Sequence, residues 1–341
     1  MKAIKVLNTI ALAIPIAFLL LSIFNEGFLM AALIATIATG AIQIICGILY
    51  WYRHPINIYI KLYFAGVLFF FCCYFFSFFT NGFLFLPLAL AVFLSIIIYS
   101  TNDEKQSFMK AEWNDLLFIN YEINPEVLKK YVPKGTEIDL WNGKCYISLI
   151  GFMFENVNVM GMKIPYHINF EEVNLRFYVK RFEDGIWKRG VVFVKEIVPK
   201  HAITFVANTL YNEQYQTLPM RHERTIQDNQ LNFKYEWKKD NYWNSIAVQT
   251  DNELLPIDEH SEAEFISEHY YGYSISPRKK TVEYEVKHPR WQQYKVIDFS
   301  INVDFKTTYG DEFSFLQTMK PSSCFVAKGS KISIESKKIL L

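Results

Sequence analysis

The chain has 341 residues, of which 51% are hydrophobic and 20% charged, with 35 Lys and Arg against 34 Asp and Glu. A length of this kind suggests about two domains, and the near balance of charge excludes the basic excess typical of a nucleic-acid surface. Only five charged residues lie in residues 1–100, namely Lys2, Lys5, Glu26, Arg53 and Lys61. The sequence therefore predicts a membrane domain over residues 1–100, a linker over 101–110 and a separate domain over 111–341.

Four apolar runs, roughly 3–24, 28–50, 62–79 and 83–100, are separated by short polar turns. A run of the length of the first makes a helix of about 33 Å, enough to cross a hydrocarbon core of about 30 Å, whereas the last two approach the lower limit. We expect an N-terminal bundle of four transmembrane helices. No Asp, Glu, Lys or Arg lies at mid-depth in these runs, which favours an anchor or assembly unit over a transport path.

The basic residues predict the orientation. Lys2 and Lys5 precede the first run, Arg53 and Lys61 flank the turn between the second and third, and the other two turns contain no Lys or Arg. The positive-inside rule then predicts an integral protein of the inner or cell membrane, with both termini and the second domain in the cytoplasm. The lipid bilayer is thus one expected partner. The oligomeric state stays open, with a homo-oligomer as one alternative.

Strand signals dominate the second domain. Segments such as GVVFVKEIV, TVEYEVKH and VIDFSINVDF are rich in β-branched and aromatic residues. Two helices are expected, one after the cap Asn124 and one near 261–269 with Ser261 as cap and Glu264 as its capping-box partner. The number and spacing of the strands favour an α+β domain with a mostly antiparallel, closed or nearly closed β-barrel.

The stretches EWNDLLFINYEINPEVLKKYVPKGTEIDLWNGKCYISLIGF, FEEVNLRFYV and GVVFVKEIVPK resemble the YqjF-like family of uncharacterised proteins. The resemblance runs from about residue 113 to about residue 334, and its most specific element is the stretch 170–178. It implies the acetoacetate-decarboxylase-like fold, a conical β-barrel with a central cavity. It does not imply the reaction, because fold and chemistry separate easily.

The stretch 170–178 has one ordinary face and one polar face. Read as a strand, it places Val173, Leu175 and Phe177 on one side. The other side carries Phe170, Glu172, Asn174, Arg176 and Tyr178. A solvated outer face is one interpretation, but aromatic residues bracket the charges, which a wet face does not need. We therefore predict that this face lines a cavity, with Asn174, Arg176 and Tyr178 binding a ligand.

Lys195 is the lysine to compare with the decarboxylase, which uses a cavity lysine as a Schiff base beside a second, activating lysine. Apolar residues flank Lys195, and burial lowers the pKa of an amine, the condition for a nucleophile. Its neighbour is Glu196, which in a regular strand points to the opposite face, so the paired lysine is missing. We take Lys195 and Glu172 as the candidate catalytic residues. The alternative for Lys195 is a lysine at a barrel rim whose amine reaches water.

His269, among the tyrosines of SEHYYGY, is a further candidate for ligand binding, with a structural histidine as the alternative. No histidine of the second domain has a metal-binding spacing and no Gly-rich phosphate loop occurs, so neither metal nor cofactor is predicted. The sequence predicts a membrane-anchored cytoplasmic barrel that binds a small anionic or carbonyl-containing molecule. The alternatives are an enzyme, lyase-like or other, acting on a small carboxylate or keto acid through Lys195, Glu172 and Arg176, and a structural membrane protein.

Overall fold

The computed structural model describes residues 2–55, 57–75, 85–100, 107–159, 161 and 163–340. The chain folds into two compact units, Met1–Lys105 and Gln106–Leu341. Each unit has a hydrophobic core of its own, built in the first from apolar helix faces and in the second mainly from strands.

The described part of the first unit contains four α-helices. They are α1 (Lys2–Leu21), α2 (Gly27–Arg53), α3 (Ile58–Phe75) and α4 (Leu86–Ser100). Three of them, α1 to α3, are long and apolar enough to cross a membrane. Helix α4 has 15 residues, and a helix of that length spans about 22 Å, less than a hydrocarbon core of about 30 Å. The prediction of four spans is therefore corrected to three among the described residues. The predicted ends at 76–79 and 83–84 lie outside them.

Uncharged polar side chains join the helices of this unit. Gln43 Nε2 on α2 donates to Asn8 Oδ1 on α1 at 2.8 Å, and Asn8 Nδ2 donates to Ser95 Oγ on α4 at 3.0 Å. Thr39 Oγ1 on α2 donates to the carbonyl of Ala11 on α1 at 2.6 Å. Amide and hydroxyl groups of this kind hold helices together where water is absent. They specify how these helices associate without burying a charge.

The described part of the second unit contains fourteen strands in one sheet. They are β1 (Met109–Ile123), β2 (Glu137–Ile138), β3 (Cys145–Val159), β4 (Phe170–Glu183), β5 (Ile186–Val198), β6 (Tyr215–Thr217), β7 (Met220–Gln227), β8 (Gln230–Lys239), β9 (Tyr242–Pro256), β10 (Tyr271–Ile275), β11 (Thr281–Lys287), β12 (Gln292–Asn302), β13 (Ser323–Ile334) and β14 (Lys338–Ile339). Because β1 begins at Met109, the last two residues of the predicted linker belong to the sheet.

Short helices connect these strands. They are α5 (His201–Tyr211), α6 (Glu262–Ser267) and α7 (Phe305–Tyr309), with 3-10 helices at Pro125–Tyr131 and Asp311–Gln317. Both predicted caps are present: Asn124 Oδ1 accepts from the Glu126 N–H at 3.0 Å, and Ser261 Oγ accepts from the Glu264 N–H at 3.1 Å. Pattern reasoning did not find α5 and α7.

The strand pairings form a ring. Strands β11, β10, β5, β4, β3, β1 and β13 are each hydrogen-bonded to the next, and β13 pairs back with β11 through Val286↔Ile334 and Lys287↔Ser333. Strands β12, β9, β8 and β7 continue from β13 as an arm of the sheet. Within the ring the β5–β10 pair is parallel and the other pairs are antiparallel. The domain is thus α+β with a ring-like, mostly antiparallel sheet.

Strand β4 is buried on both faces. Leu175 and Phe177 belong to a cluster outside the ring that includes Phe233 and Trp237 from the arm. Phe170 and the side chains that alternate with it belong to the interior of the ring, where Phe170 stacks on Phe154 with ring centroids 5.0 Å apart. The polar face of β4 is therefore an inner face, and its aliphatic face packs outside.

Removing the Phe177 ring tests this assignment of faces. Phe177 is 0% exposed, so we expect Phe177→Ala to lower the free energy of unfolding by about 3–5 kcal/mol, the cost of truncating a buried aromatic side chain. The measurement is denaturant unfolding of the purified full-length protein in detergent, followed by tryptophan fluorescence. Phe182→Ala is the matched control, because Phe182 lies on the same strand and is 57% exposed. Equal effects of the two substitutions would contradict the assignment.

Candidate functional site: a carboxyl-rich cavity inside the ring

The inner face of the ring lines a cavity of about 70 Å³. Strand β4 contributes Glu172, Asn174 and Arg176, strand β5 contributes Glu196, and the segment after α6 contributes His269. Aromatic side chains complete the walls, among them Trp113, Phe152, Tyr215, Tyr284 and Trp291. The cavity therefore combines apolar walls with a few convergent polar groups, as small-molecule sites do.

Glu172 is held by two donors. Asn174 Nδ2 donates to its Oε1 at 2.9 Å and the Tyr215 hydroxyl donates to its Oε2 at 2.9 Å. Burial raises the pKa of Glu172 to about 7, and these two hydrogen bonds oppose the rise. Asn174 Oδ1 is left without a partner inside the site.

Two further carboxyl groups lie beside Glu172. Burial raises the pKa of Glu213, between α5 and β6, to about 8, although a hydrogen bond from Tyr284 opposes this. Burial, followed by repulsion from Glu213 and Glu172, raises the pKa of Glu196 well above its usual range. Oε2 of Glu196 and Oε1 of Glu213 have no hydrogen-bond partner. The site thus holds carboxyl groups that keep their protons at neutral pH.

Arg176 is 9% exposed, and its Nε has no hydrogen-bond partner. The guanidinium lies against two rings, 5.5 Å from the centroid of Phe118 and 5.7 Å from that of Tyr178. In the described part of the chain the arginines that form ion pairs are Arg181, Arg189, Arg221, Arg224 and Arg290. Arg176 is therefore a buried cation that lies against aromatic faces, hydrogen-bonds with Tyr178 and lowers the pKa of the nearby Glu172, without forming an ion pair with a carboxylate of the described residues.

His269 enters the cavity with one ring nitrogen already bonded. Its Nε2 lies 3.2 Å from Oδ2 of Asp139, to which Arg189 Nε also donates at 2.7 Å. The hydrogen bonds from His269 and Arg189 outweigh burial and lower the pKa of Asp139, so Asp139 is an ionised acceptor and Nε2 of His269 carries the proton. Burial lowers the pKa of His269 to about 4, against the pull of Asp139. The ring is then neutral, and its Nδ1 has no partner.

Strand β5 contains a bulge that decides which side chains reach the cavity. Arg176 pairs with Phe193 and Leu175 pairs with Lys195, so Val194 is an extra residue opposite β4. A bulge of this kind interrupts the alternation of faces. Val194 accordingly joins the cluster outside the ring, while Phe193 and Glu196 line the cavity.

The expectation that Lys195 shares a cavity with Glu172 and Arg176 is therefore corrected. Lys195 Nζ donates to the carbonyl of Thr308 in α7, on the outer side of the ring. Burial lowers the pKa of Lys195, as the sequence suggests, but the amine does not face the site. A Schiff-base role for Lys195 in this cavity has no geometric support.

Tyr178 lies behind the cavity wall. Its hydroxyl is 2.6 Å from Ser148 Oγ, and its ring centroid is 4.7 Å from that of His269. Tyr178 packs against Arg176 and His269, which line the cavity, whereas Tyr178 itself does not. Glu172, Asn174, Arg176 and His269 are the predicted residues that the structure brings together.

Pattern reasoning missed four residues that build the site: Asp139, Glu196, Glu213 and Tyr215. Asp139 could have been found from the sequence, because a carboxylate between the apolar residues of EIDLW indicates a buried charged group. Regular alternation predicts that Glu196 points away from the cavity, and this prediction is wrong because of the bulge in β5. Glu213 and Tyr215 flank and begin a strand of only three residues, which is too short for a periodic signal.

Residues 110–331 match the model of the DUF2071 family, described as an uncharacterized conserved protein. The match covers well over half of the chain, and the chain belongs to this family. It is also similar to the uncharacterized protein YqjF of Bacillus subtilis (strain 168), with 31% identity over 117 residues, which are 34% of this chain and 47% of that protein. The chain thus spans about half the length of this curated relative. The resemblance to the YqjF-like family is confirmed.

Among solved structures the chain is similar to an acetoacetate decarboxylase-like enzyme from Sphingomonas wittichii RW1, with a TM-score of 0.48 and 10% identity over 69% of this chain and 93% of that chain. It is also similar to the enduracididine biosynthesis enzyme MppR complexed with pyruvate, with a TM-score of 0.49 and 11% identity over 68% and 90% of the two chains. At these scores the likenesses carry no argument about chemistry.

The buried carboxyl groups predict how stability depends on pH. The pKa of Glu213 rises on folding from an ordinary value of 4.5 to about 8, so the folded state binds more protons than the unfolded state between these values. Its contribution to stability is complete below about pH 4.5 and is lost as the pH rises toward 8. We expect Glu213→Gln to flatten this decline, with a gain on the order of 3–4 kcal/mol at pH 8 relative to its effect at pH 5.

The measurement is the unfolding free energy of the full-length protein between pH 5 and pH 8, for the wild type and Glu213→Gln. Glu223 is exposed on β7, so Glu223→Gln is the matched control and should leave the slope unchanged. A Glu213→Gln variant with the slope of the wild type would show that Glu213 is ionised in the folded protein.

Proposed function

We propose that the cavity binds a small anion, a short carboxylate or carbonyl-containing acid, with Arg176 as its counter-ion. The observation that carries this proposal is the buried guanidinium of Arg176, which lines the cavity and has an unpartnered Nε. A buried charge is costly unless it is paired and hydrogen-bonded, and aromatic faces compensate only part of that cost. An anionic group of a ligand would supply the missing partner.

The protonation of the site supports an anionic ligand. Three ionised carboxylates would give the site a negative charge and repel an anion. Because burial keeps the pKa of Glu196 and Glu213 high, these groups carry a proton at pH 7. Glu172, whose pKa of about 7 Arg176 lowers, is the one carboxyl of the three that balances part of the charge of Arg176. A neutral carboxyl group can also donate a hydrogen bond to a carbonyl oxygen, which suits a carbonyl-containing acid.

An enzyme is the second candidate. The version that relies on Lys195 loses its basis because the amine lies outside the ring. The observation that keeps an enzyme under consideration is the neutral His269, with one nitrogen bonded to Asp139 and the other unpartnered. An arrangement of this kind supports acid–base chemistry and not Schiff-base chemistry.

The first unit is proposed as a membrane anchor in the inner or cell membrane, with both termini and the second unit in the cytoplasm. Three apolar helices of spanning length support the anchor. The basic residues near their ends, Lys2, Lys5, Arg53 and Lys61, support the orientation through the positive-inside rule.

Substitution of Arg176 tests the binding proposal. The full-length protein in detergent is titrated calorimetrically with acetate, glycolate and pyruvate at pH 7. We expect at least one of them to bind, and Arg176→Gln to weaken binding by about tenfold to a hundredfold, since hydrogen bonds to a charged group contribute about 1.5–3 kcal/mol. Arg278 is exposed, and Arg278→Gln should bind like the wild type. Equal affinities of Arg176→Gln and the wild type would rule out Arg176 as the anion site.

A reporter fusion tests the orientation. With a cytoplasmic C-terminus, a reporter active only outside the cytoplasm and fused after Leu341 should give no signal, and a reporter active in the cytoplasm should work at the same position. The matched fusion after Glu26, in the first turn, should show the reverse pattern. A strong external signal after Leu341 would overturn the orientation.

A further inference from the structure

We propose that the cavity catalyses proton transfer at carbon, with Nδ1 of His269 as the general base and Asp139 as the residue that positions it. The inference rests on the proposed function, because the substrate is the anion bound at Arg176. It adds an activity, a base and a substrate class to a binding site.

The position of Asp139 is fixed from several directions. Its backbone N–H donates to the carbonyl of Tyr178 at 3.0 Å. Its side chain accepts from Arg189 Nε at 2.7 Å and forms a longer ion pair with Lys180 Nζ at 3.8 Å. Two cations and a backbone bond therefore hold the carboxylate that receives His269, so the direction of the histidine ring is set by the surrounding sheet.

The histidine ring is held as firmly as its partner. The side chain of His269 is 1% exposed. Its centroid lies 4.7 Å from that of Tyr178 and 5.1 Å from that of Phe265, with the Phe265 ring nearly perpendicular. Packing of this kind prevents the ring from turning, so Nε2 stays on Asp139 and Nδ1 keeps one direction.

The free nitrogen distinguishes a base from a structural histidine. A structural histidine in a core satisfies both ring nitrogens, because a buried polar atom without a partner costs about 1–3 kcal/mol. In His269 only Nε2 is satisfied, while Nδ1 is buried and unpartnered in a residue that lines the cavity. With the proton on Nε2, Nδ1 presents a lone pair, which is the form a base requires.

The charged and titratable groups around His269 favour this form. Arg176 and Arg189 lie near enough to disfavour the imidazolium, and Asp139 favours it. Glu172, Glu196 and His288 line the same cavity. Burial dominates, so the base is unprotonated at neutral pH, while Glu196 keeps a proton that it can donate.

The proton transfer is balanced without a cofactor. The substrate class is a 2-oxo acid with a C–H bond next to its carbonyl, and Arg176 holds the carboxylate. Nδ1 of His269 takes the proton from carbon, the C–H electron pair forms a C=C bond, and the carbonyl π pair moves to oxygen. That oxygen takes the proton of Glu196. The product is the enol, His269 becomes positively charged and Glu196 negatively charged, and the reverse steps restore the acid.

Hydrogen–deuterium exchange tests the proposal. The full-length protein in detergent is incubated in D2O with pyruvate, the smallest 2-oxo acid with exchangeable C–H bonds, and loss of the methyl proton signal is followed by NMR. We expect exchange above the buffer rate. His269→Gln should reduce the enzymatic rate by about a hundredfold or more, the usual contribution of a general base, while pyruvate binding measured by calorimetry persists. His201 is exposed, and His201→Gln should exchange like the wild type.

A second pair of variants separates positioning from folding. Asp139→Asn replaces the acceptor with an amide that can donate to Nε2 and so places the proton on Nδ1, the wrong tautomer. We expect it to lose exchange as His269→Gln does while still binding pyruvate, and Asp139→Glu to recover part of the rate. Bound pyruvate without exchange in the wild type, or exchange unchanged in His269→Gln, would overturn the base while leaving the binding proposal intact. Failure of the wild type to bind pyruvate or any other short carboxylate would overturn both.

Discussion

The balance of charge inside the ring is the constraint on which the site depends. One guanidinium, that of Arg176, and the carboxyl groups of Glu172, Glu196 and Glu213 are withdrawn from water in one small region. Three carboxylates without three cations cannot remain ionised there, because an isolated buried charge is far more costly than a protonation change. Glu172, which accepts two hydrogen bonds, is arranged as the best anion of the three. The others are more stable as neutral acids.

At the edge of the same region, neighbouring cations favour the ionised form of a buried carboxyl group, that of Asp139. Asp139 is buried as well, yet it lies beside Arg189 and the histidine and has its pKa lowered. Within one domain, burial therefore keeps protons on Glu196, whereas cations remove the proton from Asp139. Environments that push the pKa values of carboxyl groups apart separate acid from base roles. In this domain the histidine lies between the two environments, with the ionised Asp139 on one side and the protonated Glu196 in the cavity that the histidine lines.

Sequence reasoning succeeded where structure follows local periodicity. The inner face of β4 could be read because the strand is regular and paired on both sides, so alternation places Glu172, Asn174 and Arg176 together. The caps Asn124 and Ser261 could be read because a cap is a contact between near neighbours in the chain. Hydrophobicity located the apolar helices, and among the described residues α4 is shorter than the other three.

The same reasoning failed for side chains whose positions depend on contacts between distant parts of the chain. The bulge in β5 arises from how that strand pairs with β4, and no local pattern around Lys195 announces it. Tyr215 reaches Glu172 only because β6 pairs in parallel with β5, opposite Glu196. Asp139 and His269 are 130 positions apart, so their contact is a product of tertiary structure. These residues supply most of the reactive groups of the site. The sequence therefore predicts a polar cavity but indicates Lys195, and not His269, as its basic group.

Because of the bulge, an insertion or deletion of one residue in β5 changes which side chains line the cavity, an effect that substitutions do not reveal. In a regular strand, residues on one face are separated by even numbers, but Phe193 and Glu196, three apart, both line the cavity. Deleting Val194 would remove the surplus residue and leave these two side chains on one face of an uninterrupted strand. Straightening β5 without a deletion would instead turn Glu196 outward and Lys195 inward. The number of residues between Phe193 and the next cavity-facing side chain of β5 therefore determines whether that side chain is the Glu196 carboxyl or the Lys195 amine. A comparison of residue types alone would overlook this.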